Sequence, residues 1–225
     1  MRETVEKKVL SENDRLAADL RQRYRDQNIF CINLISSPGS GKTALLERTL
    51  ASFTPNNPIA VLTGDIQTDN DARRLSRYGF PVRQIVTGGT CHLDARMIDR
   101  HLAEMNFQGP GMLLVENVGN LVCPSSYDLG EAAKVVLLSV TEGEDKPLKY
   151  PGIFHRAALM ILTKTDLLPH VEFNPGLALE NARKVHPEID YIALSSRTGE
   201  GFDSWLHWLN VLQHKYQQPA GASHS

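Results

Sequence analysis

Eight residues, Ser36-Ser37-Pro38-Gly39-Ser40-Gly41-Lys42-Thr43, constrain this chain more than any other stretch. The apolar run from Ile29 to Ile35 before them reads as a buried strand, and Ala44 to Leu50 after them reads as a helix. Strand, glycine-rich turn, Lys-Thr and helix is the layout of a phosphate-binding loop. Gly39 and Gly41 let the backbone turn its N–H groups inward. The start of the helix adds the positive end of its dipole, so Pro38, Gly39, Ser40, Gly41, Lys42, Thr43 and Ala44 form a cradle for phosphate oxygens. Lys42 can reach the outer phosphates, and the Thr43 hydroxyl can ligate Mg²⁺. The strict pattern has Gly where Ser36 stands.

At 225 residues the chain fits one domain with a short appendage. A formal net charge of -2 gives no electrostatic reason to expect nucleic acid or a membrane surface as partner. The charged N-terminus and the lack of a long apolar run suggest no export signal and no membrane span. The cysteines are Cys31, Cys91 and Cys123. An odd, small number in such a chain suggests a reducing cytoplasm, with metal binding rather than disulfides as their chemistry. Cys31, inside the first strand, reads as core.

Residues 1–27 form a charged N-terminal extension with Val5, Val9, Leu16, Leu20 and Tyr24 at helical spacing, and Ser11 is placed to cap a second helix beginning at Glu12. Residues 28–216 carry the main domain, and 217–225 read as a disordered tail. Beyond the phosphate loop, Ile59–Thr63 is a second strand that runs into a polar loop holding Asp65, Asp69 and Asp71. A loop at the C-terminal end of such a strand lies at the ligand edge of an open α/β sheet. Asp65 and Asp71 can hold Mg²⁺ or its water shell, whereas Asp69 and Asp71 can equally cap and open a helix over 72–78.

Val82–Val86 is a third strand, leading into Thr87-Gly88-Gly89-Thr90-Cys91-His92. Met112–Glu116 is a fourth strand, apolar up to its terminal acid. Glu116 is placed to bind Mg²⁺ through water or to activate the attacking water. The loop after it brings Cys123 to the same sheet edge as Cys91 and His92. Two thiolates and one imidazole suit Zn²⁺, Ni²⁺ or Cu, with one position left open. A fifth strand over 134–140 is followed by a charged loop, Thr141 to Lys149, that reads as solvated surface on the ligand edge.

A sixth strand, over 157–162, ends in Thr163-Lys164-Thr165-Asp166. The Asp166 carboxylate can accept from the N1–H and the N2 amino group of guanine, which adenine cannot offer in that arrangement. An unpaired buried carboxylate is costly, so such a site can reject the wrong base by a factor on the order of 10⁴. The Lys164 stem can stack along the base. A last strand over 191–194 leads to Ser195-Ser196-Arg197, whose backbone N–H groups can meet the guanine carbonyl. Phe202–Tyr216 reads as an amphipathic closing helix with Trp205 in the core.

Strands alternating with helices predict a three-layer α/β fold with a mainly parallel sheet covered on both faces. With these motifs in order, the chain resembles a P-loop GTPase of the SIMIBI class. Thr87–Ala95, Glu116–Pro124 and the stretch Thr141-Glu142-Gly143 with Asp145–Pro151 resemble the nickel-incorporation GTPases of hydrogenase maturation, the HypB family. The resemblance covers about residues 28 to 213. It implies a cytoplasmic metallochaperone that hydrolyses GTP to GDP and assists nickel insertion into the large subunit of a nickel-iron hydrogenase. It also implies a homodimer formed on GTP binding and a small zinc-containing maturation protein as partner. Carried over by motif, Lys42, Asp65 and Glu116 are catalytic, and Thr43, Asp65 and Glu116 surround Mg²⁺. Lys164, Asp166, Ser196 and Arg197 hold the base, and Cys91, His92 and Cys123 hold Ni²⁺ or Zn²⁺. No arginine finger or water-positioning Gln is evident, so slow hydrolysis is expected. Many relatives carry an N-terminal cysteine cluster or histidine tract; no cysteine precedes Cys31 here and no histidine precedes His92, so nickel storage is not expected. Thr163 stands where most GTPases have Asn. The rivals are a GTPase serving urease or another metalloenzyme and a GTP-dependent regulatory switch. Against urease, Ser125 follows Cys123-Pro124 where a His is expected.

Overall fold

A computed structural model describes residues 2–54, 56–66, 69–105 and 107–217. Seven strands form one sheet in the order β3-β2-β4-β1-β5-β6-β7, and every pairing is parallel. The strands are β1 (Ile29–Ser36), β2 (Ile59–Asp65), β3 (Val82–Val86), β4 (Gly111–Glu116), β5 (Ala133–Ser139), β6 (Leu159–Thr163) and β7 (Asp190–Ala193). The helices are α1 (Arg2–Asp26), α2 (Lys42–Ala51), α3 (Asn70–Ser76), α4 (Ala95–Met105), α5 (Lys146–Lys149), α6 (Pro151–Arg156), α7 (Pro175–Val185) and α8 (Phe202–Gln217). Short 3₁₀ segments cover Cys123–Ser126 and Thr165–His170.

The central strands are buried on both faces, which is why β1 reads as a run that is apolar from Ile29 to Ile35 but for the buried Asn33. Its side chains still alternate. Phe30, Ile32 and Leu34 pack with Leu45, Leu46 and Leu50 of α2 and with Trp205 and Leu209 of α8. Ile29 and Cys31 face the other way, into a layer formed with Ala17, Leu20 and Tyr24 of α1 and Ile98 and Leu102 of α4. Cys31 is fully buried there, as its position in the strand predicts. A third cluster, under α6 and α7, joins Ile153, Phe154, Ala178 and Ala182 to Val136, Leu138, Met160 and Leu162.

The N-terminal segment differs from expectation. It is one continuous helix, and Ser11 is an ordinary helical residue rather than a cap. The flanking Lys, Leu, Glu and Ala residues are good helix formers, and nothing between Leu10 and Asn13 breaks the ladder. Leu20 and Tyr24 are buried as the periodicity predicts, whereas Val9 is exposed. The helix over 72–78 begins and ends two residues earlier, at Asn70 and Ser76. Of the tail expected over 217–225, Gln217 instead ends the last helix, and the remainder lies outside the described residues. Among the described residues no helix is long and apolar enough to cross a membrane.

β1 lies at the centre between β4 and β5, with Leu34 in register with Glu116. Thr63 of β2 pairs with Glu116 from the other side. The loops leaving β1, β2 and β4 therefore converge at one edge of the sheet, the edge that open α/β folds use for ligands.

Candidate functional site

The turn after β1 carries Gly39 at φ 74° and Gly41 at φ 99°, a left-handed backbone that favours glycine. Gly41 sits at the N-cap of α2 without a side-chain cap, which leaves the first N–H groups of the helix available to a ligand. A cleft of about 810 Å³ opens above it, lined by Pro38, Gly39, Gly41, Lys42, Thr43, Ala44, Asp65, Asp71, Arg74, Glu116 and Asn117, among others. Ser36 occupies the position of the missing glycine and does a specific job: its Oγ accepts from Lys42 Nζ at 2.9 Å. Burial lowers the Lys42 pKa, while the nearby Glu116, Asp71 and Glu142 pull it back up.

Glu116 is 4% exposed and accepts from Thr43 Oγ1 through Oε1 at 2.7 Å. Burial pushes its carboxyl up to about 7 against the pull of Lys42 and Thr43. Its second oxygen, Oε2, is buried with no hydrogen-bond partner. A buried carboxylate oxygen left bare beside a threonine hydroxyl, in a phosphate cleft, fits the donor set of Mg²⁺ or its water shell. Asp65 lines the same cleft from the end of β2. Asp71 reaches it from the first turn of α3, where it also stands 3.6 Å from Arg74. Asp69 forms an ion pair with Arg73 at 2.9 Å rather than a side-chain cap.

Two residues, one in this cleft and one beside the phosphate loop, have roles that the sequence did not indicate. Arg74 lines the cleft, but its guanidinium is held by Glu47 through Nε at 3.1 Å and Nη2 at 2.5 Å. Glu142, read from sequence as part of a solvated loop, instead braces the phosphate loop: its Oε1 lies 2.8 Å from Ser40 Oγ and accepts from Ser139 N at 3.0 Å. Ser40 is buried, with its hydroxyl turned toward that carboxylate and the Ser37 carbonyl.

A second, smaller cavity of about 250 Å³ lies at the end of β6 and is lined by Gly41, Ala44, Thr163, Lys164, Asp166, Leu167, Ser196 and Arg197. Lys164 holds a left-handed backbone at φ 60°, strain of the kind stored at ligand sites. Asp166 Oδ1 accepts from Ser195 Oγ at 2.6 Å, and the same hydroxyl oxygen takes the Arg197 and Thr198 amides at 3.2 and 3.1 Å. The fully buried Ser195 thus orders the loop around the base pocket. The Arg197 side chain is exposed, 4.0 Å from Asp166. Thr163, in the place usual for Asn, donates from Oγ1 to Ser40 O at 2.7 Å, which ties the base pocket to the phosphate loop.

Cys91, His92 and Cys123 come together as their positions at one edge predict. Their ligand atoms all lie within 4.8 Å of one another, and the two sulfurs are 2.7 Å apart. The Thr87–Thr90 turn that presents Cys91 is closed by Thr87 Oγ1 donating to Thr90 O at 2.6 Å. Cys123 opens a 3₁₀ turn with Pro124 next to it, and Asn120 Oδ1 holds the preceding amide of Val122 at 2.8 Å. The bond shared with Cys91, then burial, raises the Cys123 thiol, and burial lowers the His92 imidazole. The His92 ring stacks on Tyr127 with centroids 3.7 Å apart, and its Nδ1 is buried without a partner. Two sulfurs and an imidazole that is kept neutral form a donor set for a borderline-soft cation.

The parallel sheet, the phosphate loop with its Lys-Thr, the acid at the end of β4 and the base pocket at the end of β6 define the P-loop GTPase fold. The family model described as "CobW/HypB/UreG, nucleotide-binding domain" matches residues 30–192. The hydrogenase maturation factor HypB of Azotobacter vinelandii is 53% identical over 205 residues, covering 91% of this chain and 68% of that protein. The hydrogenase/urease maturation factor HypB of Helicobacter pylori strain J99 is 41% identical over 209 residues, covering 91% of this chain and 86% of that protein. The crystal structure of HypB from Helicobacter pylori in complex with nickel superposes with a TM-score of 0.84 at 39% identity, covering 95% of this chain and 99% of that one. The chain belongs to the HypB hydrogenase maturation factors of the CobW/HypB/UreG family.

Proposed function

We propose that the chain is a GTP-hydrolysing metallochaperone that delivers nickel for the large subunit of a nickel-iron hydrogenase, with metal affinity coupled to nucleotide state and to homodimer formation. Residues 28–216 act as the GTPase domain and residues 1–27 as its helical extension. The observation that carries the reading is the cluster of Cys91, His92 and Cys123 at the same sheet edge as the phosphate cleft. The Helicobacter pylori relative was crystallised in complex with nickel, which supports Ni²⁺ as the cargo over Zn²⁺.

In this reading the phosphate loop amides and Lys42 bind the phosphates of GTP, and Asp166 with the Ser195–Arg197 loop selects guanine. Thr43, Asp65 and Glu116 would hold Mg²⁺, which supplies positive charge against the phosphate oxygens. Lys42 and Glu116 organise the reacting phosphate. Arg74, bound to Glu47, is not free to act as an arginine finger, in keeping with slow hydrolysis. The partners are a small zinc-containing maturation protein and, through it, the hydrogenase. The Helicobacter pylori relative carries urease as well as hydrogenase in its name, so urease is the second client to assay.

The direct test is a titration of Ni²⁺ into the purified protein with Mg²⁺ plus GDP, and again with Mg²⁺ plus a non-hydrolysable GTP analogue. The expected result is binding at the thiolate site, lost in Cys123→Ala, with an affinity that differs between the nucleotides by roughly 5- to 150-fold, the usual range of coupled sites. Identical nickel binding in both states, or none, overturns the reading.

A further inference from the structure

Leu93 stands where the two sites meet. It follows His92 directly, and its side chain is fully buried. A Cβ built on Gly64 would lie 2.8 Å from Leu93 Cγ, so Leu93 packs on bare backbone next to Asp65. Its amide N–H donates to Asn117 Oδ1 at 3.1 Å. Asn117 follows Glu116 and lines the phosphate cleft. One residue on each side of Leu93's contacts is thus a candidate magnesium ligand, and Leu93's own neighbour is a candidate nickel ligand.

Asn117 does more than hold one amide. Its Oδ1 also accepts from Val118 N at 3.0 Å, and its Nδ2 donates to Asn33 Oδ1 at 3.2 Å. Asn33 Nδ2 donates in turn to Glu131 Oε1 at 3.2 Å. Glu131 pairs with Lys134, and Lys134 Nζ donates to the Tyr127 carbonyl at 2.8 Å. Tyr127 is the residue whose ring stacks on His92. A single path of hydrogen bonds therefore runs from beside Glu116 to both supports of His92, its flanking amide and its stacking partner. Asn33 and Asn117 are 0% and 1% exposed, so water is not at hand to replace a broken bond. A side-chain amide supplies the needed acceptor and donor on two separate atoms; an ionised Asp lacks the donor and Leu lacks both.

We propose that Asn117 is the positioning residue that carries nucleotide state from the Glu116 cleft to the Cys91/His92 loop. The proposal rests on the coupled reading above and names the part of the molecule that does the coupling. The loop from Asn117 to Asn120 lies against the phosphate loop: a Cβ on Gly119 would be 3.0 Å from Pro38 Cα. A nucleotide that moves Glu116 or Pro38 moves the Asn117 side chain, and the Leu93 amide moves with it. Contacts that differ between two states are what coupling requires, and this path provides them without any direct contact between nucleotide and metal.

The test is the same nickel titration, run on wild type and on Asn117→Leu, with the ratio of nickel dissociation constants between the GDP and GTP-analogue states as the readout. General damage to the metal site would weaken nickel binding in both states and leave the ratio in place. Loss of the relay collapses the ratio toward unity while nickel still binds and still shows its thiolate-to-nickel absorption band. That collapse is the expected result. A variant that keeps the wild-type ratio overturns the relay and leaves the coupled function standing. A wild type that shows no ratio overturns both. Should Asn117→Leu fail to fold, Asn117→Ser is read in the same way, since a serine hydroxyl is too short to span from the Leu93 amide to Asn33.

Discussion

Glu142 shows how a single carboxylate can brace a binding loop that it does not belong to. Burial alone would raise its pKa, but the Ser139 amide, the Ser37 and Ser40 hydroxyls and the Lys146 ammonium outweigh burial and hold it below the usual carboxylate range. A carboxyl whose folded pKa is depressed contributes stability above its unfolded pKa, and that contribution is lost as pH falls through the folded value. Glu142→Gln should therefore destabilise the nucleotide-free protein by about 1–2 kcal/mol near neutral pH, the worth of hydrogen bonds to a charged group. The difference from wild type should narrow as pH falls below the ordinary carboxylate range and close only once pH has passed through the depressed folded value, where the wild-type carboxyl is itself protonated. Thermal unfolding of both proteins across pH checks this; a gap that persists unchanged in acid shows that Glu142 acts through shape and not through charge. The residues proposed to hold ligand could be picked out in the sequence because their chemistry is tied to a short motif: Lys42 and Thr43 in the glycine turn, Glu116 at a strand end, Asp166 after β6. The bracing roles of Glu142, Ser195 and Asn117 could not, although the stretches that hold them were singled out. Their roles depend on neighbours far along the chain, Ser40 being 102 positions from Glu142, and no local pattern records such a partner.

At the scale of elements, α1 is the clearest departure from the sequence reading. A serine followed by charged residues resembles a helix start, yet the helix runs through it because tertiary contacts reward the continuation. The reason is visible one turn on. Asn13 is 5% exposed, its Nδ2 donates to Asp128 O at 2.9 Å, and its Oδ1 accepts from Ala95 N at 2.9 Å. Ala95 starts α4 just after His92, and Asp128 follows the turn that carries Cys123. Arg21, two turns on, adds an ion pair with Asp128 at 2.5 Å. The helix is therefore a splint across the two loops that bring Cys91, His92 and Cys123 together, as well as a cover for the sheet. Asn13→Ala should cost about 1–3 kcal/mol, because it leaves the buried Ala95 amide unpaired. It should also weaken nickel binding in both nucleotide states by a similar factor. Urea denaturation and nickel titration read the two effects separately. A variant that loses stability but binds nickel as wild type does would confine α1 to a structural role. The strands, by contrast, were legible to within about two residues, since the central ones are buried, largely apolar runs closed by a polar loop; Val82–Val86, at the sheet edge and only partly buried, coincides at both ends.

At the scale of the whole molecule, three of the exposed large apolar side chains stand at the ligand edge. Ile66, Val86 and Val122 are 41%, 58% and 59% exposed. All three sit at that edge, Ile66 next to Asp65, Val86 in register with Asp65 across β2 and β3, and Val122 next to Cys123. Large exposed side chains gathered around a functional site mark a surface that another protein covers. A second copy of the chain meeting this edge would bury the three together, and the loops beneath them, those of Asp65, Cys91 and Cys123, are the ones that nucleotide and metal would order. Dimer formation would then depend on nucleotide without any contact made by the nucleotide itself. Burying a valine contributes about 1.5–3 kcal/mol, and an unpaired carboxylate in its place adds a desolvation penalty. Val122→Asp should accordingly weaken a GTP-dependent dimer at least about tenfold. Sedimentation velocity with the GTP analogue reads this directly, and Val86→Asp, at the end of β3 rather than next to Cys123, separates loss of the interface from a local disturbance of the Cys123 turn. Weakening by both variants places the dimer interface on this edge. Dimerisation as in wild type by both places it elsewhere, and the exposed valines would then belong to the surface offered to the partner that brings or receives the metal.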